Sequence, residues 1–283
     1  MNKLSKSPQY QFILFTCLTV FSSLATAAEK LPDRWSISLS AVKIDGSNTS
    51  AGFANTDSII PIGIAVDLNR NLGIKDNDNS FRIDGYYRFT DRHQIVFSNY
   101  KIKLDGTKTL TEGFTWNDQP YEIGAQVSSF FNNTTTKLGY LFSFHHDNKV
   151  ELAIGGGLHI TEFNIGLNLL ATADGGTAPS EFNSNGELKA TAPVPFMSFL
   201  VHYDISQRWS FNWKYDSLRL SFNNVDGTMI DSMASVEHRT YEHVAFGFGV
   251  NSFRINIDGE DSTSRFVVKS AFDGILIYAR AAF

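Results

Sequence analysis

What most constrains this chain is a period-two alternation of apolar and polar side chains that returns again and again along it. Trp35, Ile37, Leu39 and Ala41 interleave with Ser36, Ser38 and Ser40; Phe81, Ile83, Tyr87 and Phe89 interleave with Arg82, Asp84, Tyr86 and Arg88. Val150, Leu152, Ile154, Leu158 and Ile160 interleave with Glu151, Ala153, His159 and Thr161, and Trp209, Phe211, Trp213 and Tyr215 with Ser210, Asn212, Lys214 and Asp216. Successive side chains of a strand point to opposite sides, so each set is a long strand with one greasy and one polar face. No segment after residue 27 sustains helical apolar spacing over three turns, and 28–283 reads as all-β.

Weaker alternation over 93–104, 134–144, 194–204, 229–240, 243–257 and 264–283 brings the count to about ten strands. Eight and twelve are the alternatives, twelve arising if the apolar run Ile59 to Leu68 forms an extra hairpin instead of folding over a barrel mouth. The phase slips near Asp216-Ser217 and Asn251-Ser252, where a bulge or the end of a membrane-embedded part would reset it. Short polar connections (90–92, 145–148, 205–208, 240–243) alternate with longer polar stretches (45–78, 105–133, 169–190, 223–229 and a shorter 258–263), the asymmetry of a barrel with tight periplasmic turns and long outer loops.

A soluble β-sandwich would also alternate, with its apolar faces packed together. The runs here approach the roughly 9–11 residues a tilted strand needs to cross a bilayer, and 24 Phe with 10 Tyr and 4 Trp are more aromatic surface than a sandwich core packs readily. Turned toward lipid, Trp35, Tyr87, Phe89, Phe144, Tyr203 and Trp209 lie near the short-turn ends as an interfacial girdle. A closed antiparallel transmembrane barrel is therefore the expected fold, because only closure leaves no unpaired strand edge in hydrocarbon.

The N-terminus is read as an address. Lys3 and Lys6, the apolar stretch Phe12 to Leu24 and Ala25-Thr26-Ala27 form a secretory signal peptide over 1–27, leaving a barrel of 28–283. Cleavage removes Cys17, the only cysteine, so disulfides contribute nothing. It also leaves 22 Lys+Arg against 29 Asp+Glu, two Lys fewer than in the whole chain, a balance that excludes a general affinity for nucleic acid.

The last strand, Gly274 to Phe283, ends in Phe, with Ile275 and Ile277 on one face. In this the chain resembles Gram-negative outer-membrane β-barrel proteins, and the Phe81–Phe89 strand with its turn and following strand resembles hairpins of small OmpA/OmpW-like barrels. The resemblance implies an outer-membrane location, Phe283 as the signal read by the barrel-assembly machinery, and surrounding outer-membrane lipid. Ala281, third from the end, stands where an aromatic is common in that pattern.

If the apolar faces look outward, Arg82, Asp84, His159, Lys214 and Asp216 look into the lumen, with Arg88, Glu151, Glu237, Arg239 and Arg280 near its periplasmic end. Those five are expected to form a mixed ion-pair cluster of three Arg against two Glu, acting as a plug or as a gate. His159-Ile160-Thr161 resembles the His-x-Ser pair of outer-membrane lipid A deacylases, but Thr replaces Ser and the face points into the lumen. Asp76 to Asn79 and Asp258 to Asp261 gather oxygen ligands without completing an EF-hand. No catalytic set, metal or cofactor is expected. The expected role is that of a monomeric, non-enzymatic outer-membrane protein serving envelope structure or surface interaction, with a narrow solute channel and a lipid-modifying hydrolase as alternatives.

Overall fold

The structure, a computed structural model, describes residues 33–55, 66–116, 119–172, 174–176, 187–222, 225–260 and 264–283. The signal-peptide reading of 1–27 lies outside them. Ten long strands form the barrel: β1 (Trp35–Asn55), β3 (Asp78–Thr90), β4 (His93–Thr109), β7 (Gln126–His146), β8 (Val150–Ala171), β9 (Glu187–Asp204), β10 (Trp209–Phe222), β11 (Val225–Arg239), β12 (Val244–Glu260) and β13 (Ser264–Ala282). All neighbours are antiparallel and β13 returns to β1, pairing Ser36 with Ala282 through Asn55 with Ser264. The barrel thus has ten strands, not eight or twelve.

The side chains face as alternation requires. On the lower, short-turn half, Ile37, Leu39, Ile83, Ile154, Phe248 and Ile277 are exposed on the outer wall, while Ser36, Ser40, Arg82, Arg88 and His159 are buried inside. The strands are longer than a bilayer demands, β1 and β7 having 21 residues and β8 having 22. About half of each therefore stands above the hydrocarbon on the outer side.

In that outer half the polarity inverts. On β12, Phe246, Phe248 and Val250 are exposed, and higher up it is Arg254, Asn256 and Asp258, while Phe253, Ile255 and Ile257 turn inward and are buried. The β11–β12–β13 register runs unbroken through this point. The apparent phase slip near Asn251-Ser252 is thus no bulge: even-numbered residues face out throughout, and what changes is the surrounding medium, lipid below and water above. The slip near Asp216-Ser217 is likewise not a bulge in the β10–β11 ladder, which is continuous from Trp209 to Phe222. The register does shift elsewhere: in β1 between Asp45 and Asn48 around Gly46 at φ 76°, between Arg88 and Thr90 of β3, and at Gln126/Val127 and Ser143/His145 of β7.

The outer connections are shorter than the polar stretches suggested. β4 continues to Thr109 and β7 starts at Gln126, inside the 105–133 stretch; β8 and β9 likewise extend into 169–190; and β11 starts at Val225, inside 223–229. Residues 105–109 at the top of β4 read as loop because Asp105, Thr107 and Thr109, on its water-facing side, are polar. Two pieces fold into the outer mouth. Strand β2 (Val66–Asp67) pairs with β1 and leads into helix α1 (Leu68–Leu72), so the described part of 59–68 adds no hairpin to the barrel. Asp67 caps α1 by accepting from the Arg70 N–H at 2.8 Å, and Gly73 ends it at φ 69°. Leu68 and Leu72 point down into the apolar core. Gly106 permits that approach, since a Cβ there would sit 2.0 Å from the Gly73 carbonyl oxygen. The small hairpin of β5 (Phe114–Trp116) and β6 (Gln119–Tyr121) buries Trp116 and Tyr121 beside it.

Candidate functional site

The interior divides into three storeys. The outermost is apolar, with Phe131, Phe163, Val194, Phe196, Met229 and Phe253 packed beneath Leu68, Leu72, Trp116 and Tyr121. Phe253 stacks on Phe272 at 4.8 Å, and the Tyr121 hydroxyl donates to the Leu167 carbonyl at 3.5 Å.

Beneath it lies a buried charged layer. Lys137 of β7 donates to Asp216 of β10, whose other oxygen accepts from the Ser198 hydroxyl at 2.5 Å. Phe196 roofs this pair: the Lys137 ammonium is 5.1 Å from its ring centroid, and the His159 ring meets it edge-on at 4.8 Å. His159 is fully buried, its Nε2 is 3.7 Å from Asp216, and neither ring nitrogen has a hydrogen-bond partner among the described residues. Asp231 accepts from the Asn251 amide at 2.8 Å. Arg82 forks onto Asp84 at 2.8 and 2.9 Å and lies over the Tyr100 ring.

The lowest storey is a cavity of about 250 Å³ open at the periplasmic end. It reaches up to Ser40, Asp84 and Lys214, and no residue of the outer apolar core lines it. Arg88 donates from Nη2 alone to both oxygens of Glu151, at 2.8 and 2.9 Å, and Ser143 at 2.5 Å and Gln94 at 3.3 Å donate to the same carboxylate. Across the bowl Arg280 forks onto Glu237 at 2.9 and 2.5 Å, with Asp33 at 3.9 Å.

The five periplasmic-end residues therefore sit as two separate pairs, Arg88–Glu151 and the forked Arg280–Glu237, with Arg239 lining the mouth and forming no ion pair among the described residues. Arg82, Asp84, His159, Lys214 and Asp216 all face the interior, the first two as a pair of their own and Lys214 in the cavity. The aromatics Trp35, Tyr87, Phe89, Phe144 and Trp209 are exposed on the outer wall near the short turns, with Tyr203 half-buried beside them. Sequence reasoning missed Lys137, Ser198 and Asp231. Their signal was parity: Lys137 alternates with the outward Leu138 and Tyr140, which puts it inside.

From the charged layer to the mouth, Arg82, Arg88, Lys137, Lys214, Arg239 and Arg280 share the interior with Asp33, Asp84, Glu151, Asp216, Asp231 and Glu237, and Asp147, Lys149 and Asp204 join them at the rim. His159, Asp216 and Asp231 bring ligand atoms within 4.8 Å of one another. The Lys137 ammonium on Asp216 already supplies the cation there. The hydroxyl of Ser198 is committed to Asp216, and among the described residues no nucleophile is hydrogen-bonded to His159. Arg88 and Glu151 join β3 to β8, and Lys137 and Asp216 join β7 to β10, so the pairs brace strands across the lumen.

No protein family and no curated protein matches this sequence. Solved structures do. The outer membrane protease OmpT from Escherichia coli is similar with a TM-score of 0.52 at 9% identity, covering 91% of this chain and 99% of that one. The outer membrane protein OprG from Pseudomonas aeruginosa (TM-score 0.34, 14% identity, 90% and 97% covered) and Neisserial surface protein A (0.29, 9%, 90% and 100%) are more distant. At these identities the likeness concerns the fold. With an apolar outer belt, a polar lumen and closure of β13 on β1, the chain is a small outer-membrane β-barrel of the Gram-negative kind.

Proposed function

We propose that this is a monomeric, non-conducting and non-enzymatic outer-membrane barrel, held in outer-membrane lipid, whose work is structural or done by its outer surface. One observation carries the reading: two stacked layers, the Lys137–Asp216 charged storey and the apolar core capped by α1 and the β5–β6 hairpin, fill the lumen above a blind periplasmic bowl. A ten-stranded barrel is only slightly wider than the eight-stranded kind whose interior side chains fill, so such layers suffice to block it. The pairing of interior charges across the lumen and the commitment of Ser198 to Asp216 support a bracing role over a catalytic one.

Planar-bilayer recording of the purified protein tests this. The wild type and Arg88→Ser are both expected to be electrically silent, because the bowl is closed above the residue changed. Stable unitary steps from the wild type would overturn the reading in favour of a channel. Loss of an acyl chain from lipid A on expression, seen by mass spectrometry, would overturn it in favour of a hydrolase.

A further inference from the structure

The outer wall is not uniform where lipid gives way to water. Followed once round all ten strands, the register that leaves β1 at Trp35 returns to β1 at Asn48, thirteen residues higher. Each step from β1 toward β3 and β4 therefore climbs by about 1.3 residues. Ala41 of β1 pairs with Phe81 of β3, and Phe81 stands beside Lys101 of β4, one position beyond the last β3–β4 pair, Arg82–Tyr100. The two strands stay together there, since the Ser80 hydroxyl donates to the Lys101 carbonyl and the Lys103 N–H to the Asp78 carboxylate at 3.0 Å. Two steps of climb lift Lys101 level with Lys43, which lies two residues above Ala41 on β1.

Lys43 and Lys101 thus flank β3 at one height, two strand spacings or about 9–10 Å apart. Phe81, 74% exposed, lies below and between them, at the top of the wall that Leu39 and Ile83 turn toward lipid. Asn79, paired with Lys43, and Lys103 close the patch from above, and all four polar side chains are exposed. None of the three ammonium groups forms a hydrogen bond or ion pair among the described residues. Of the carboxylates on these strand tops, Asp78 is taken by the Asn79 and Lys103 N–H groups and Asp105 by Lys75 at 3.4 Å, which leaves Asp45, exposed above Lys43, to oppose them. Arg254 on β12, by contrast, is spent on Asp273 at 2.9 Å and on two backbone carbonyls. Unanswered ammonium groups directly above an exposed ring match a phosphate whose acyl chains descend along the wall below. We propose that this patch seats a phosphorylated outer-leaflet lipid, its phosphate between Lys43 and Lys101 beneath Lys103 and Asn79, and an acyl chain against Phe81. A soluble polyanion would use the charges and leave the ring idle. The proposal rests on the barrel lying in outer-membrane lipid and is independent of whether its lumen conducts.

The test titrates diphosphorylated lipid A onto the protein purified from outer membranes in non-ionic detergent and stripped of lipid, with retention read by native mass spectrometry and folding by the heat shift on a gel. Wild type and Lys43→Arg/Lys101→Arg should retain the lipid alike, whereas Lys43→Gln/Lys101→Gln should bind it about tenfold more weakly. Phe81→Ser should weaken it as well, and Arg254→Gln should leave it unchanged. Lipid A stripped of both phosphates should bind the wild type no better than diphosphorylated lipid A binds the glutamine variant, and equimolar inorganic phosphate should not displace the lipid. The proposal is overturned if the folded glutamine variant retains lipid A as the wild type does, or if Arg254→Gln costs as much as the glutamine pair, which would mean a general response to charge. It is equally overturned if the dephosphorylated lipid binds as tightly, or if inorganic phosphate displaces lipid A or Phe81→Ser leaves retention intact, either of which would assign the patch to a soluble anion.

Discussion

Trp35 and Phe283, 248 positions apart in the sequence, stack at 4.4 Å with an interplanar angle of 22° and exchange two backbone hydrogen bonds of 2.9 Å. They form the last rung of the β1–β13 junction, and His243, from the turn between β11 and β12, stacks on the other face of Phe283 at 4.5 Å. The terminal aromatic is thus a structural element of barrel closure, whatever else reads it during assembly. Phe283→Ala keeps the rung but loses both stacks, each worth about 0.5–1.5 kcal/mol beyond its buried area. Urea unfolding in vesicles should show a loss of about 1–3 kcal/mol, and Phe283→Tyr should restore most of it.

The Lys137–Asp216 pair should be costly to break and cheap to replace. Lys137→Met strands a carboxylate inside the barrel and is expected to cost about 3–5 kcal/mol, whereas Lys137→Met with Asp216→Leu should regain most of that. A double-mutant cycle by equilibrium unfolding gives the answer, and additive losses would show that the two side chains do not act together.

Gly247 holds the Tyr278 ring against the inner face of β12. A Cβ at this position would lie 2.2 Å from the ring carbon Cζ and 2.5 Å from its hydroxyl oxygen, too close for any side chain. Gly247→Ala should cost about 1–3 kcal/mol through overpacking. Adding Tyr278→Ala should remove the clash, so that Gly247→Ala becomes nearly neutral in that background, as measured by the heat needed to convert the folded to the unfolded gel form.

The β7–β8 turn should loosen in acid. The Asp147 carboxylate accepts the Lys149 and Val150 N–H groups at 2.8 Å each, and these bonds, the Lys149 one foremost, hold its pKa below the usual aspartate range. A depressed folded-state pKa stabilises at and above the ordinary carboxylate pKa and is lost as pH falls through the lowered value. Exchange at the Lys149 and Val150 amides, corrected for intrinsic rates, should stay slow at neutral pH and speed up below about pH 4. Asp147→Ala should be fast at every pH.

Strand identity, strand count and facing were legible in the sequence because alternation is a local signal, complete within each strand. The height of a residue relative to the membrane is not local. Phe253, Ile255 and Ile257 read as a shift of phase since parity and surrounding medium leave the same trace in a hydropathy pattern. For the same reason the polar top of β4, 105–109, read as loop. Helix α1 carried its own signal in Asp67 and Gly73, a cap at each end of Leu68–Leu72, but five residues are too few for an apolar period to show. Among the interior groups, inward placement of Arg88, Glu151 and Arg280 followed from parity. Which cation meets which carboxylate did not: Lys137 and Asp216 lie 79 residues apart and meet only through the order of strands around the barrel. The lysine patch was hidden too, because Lys43 and Lys101 come level only through the climb of the register round the barrel.

The central claim is that one unbroken alternation passes from lipid into water with its interior changing from polar to apolar. Spin labels introduced singly from Phe246→Cys to Asp258→Cys on β12 test it most directly, in a chain of residues 28–283, which holds no cysteine of its own. The account predicts that even-numbered positions are reached by oxygen in the bilayer up to Val250 and by a water-soluble relaxer from Arg254 upward, while Phe253, Ile255 and Ile257 are shielded from both. A switch of the exposed set from even to odd positions, or even positions reached by the water-soluble relaxer along the whole strand, would contradict it.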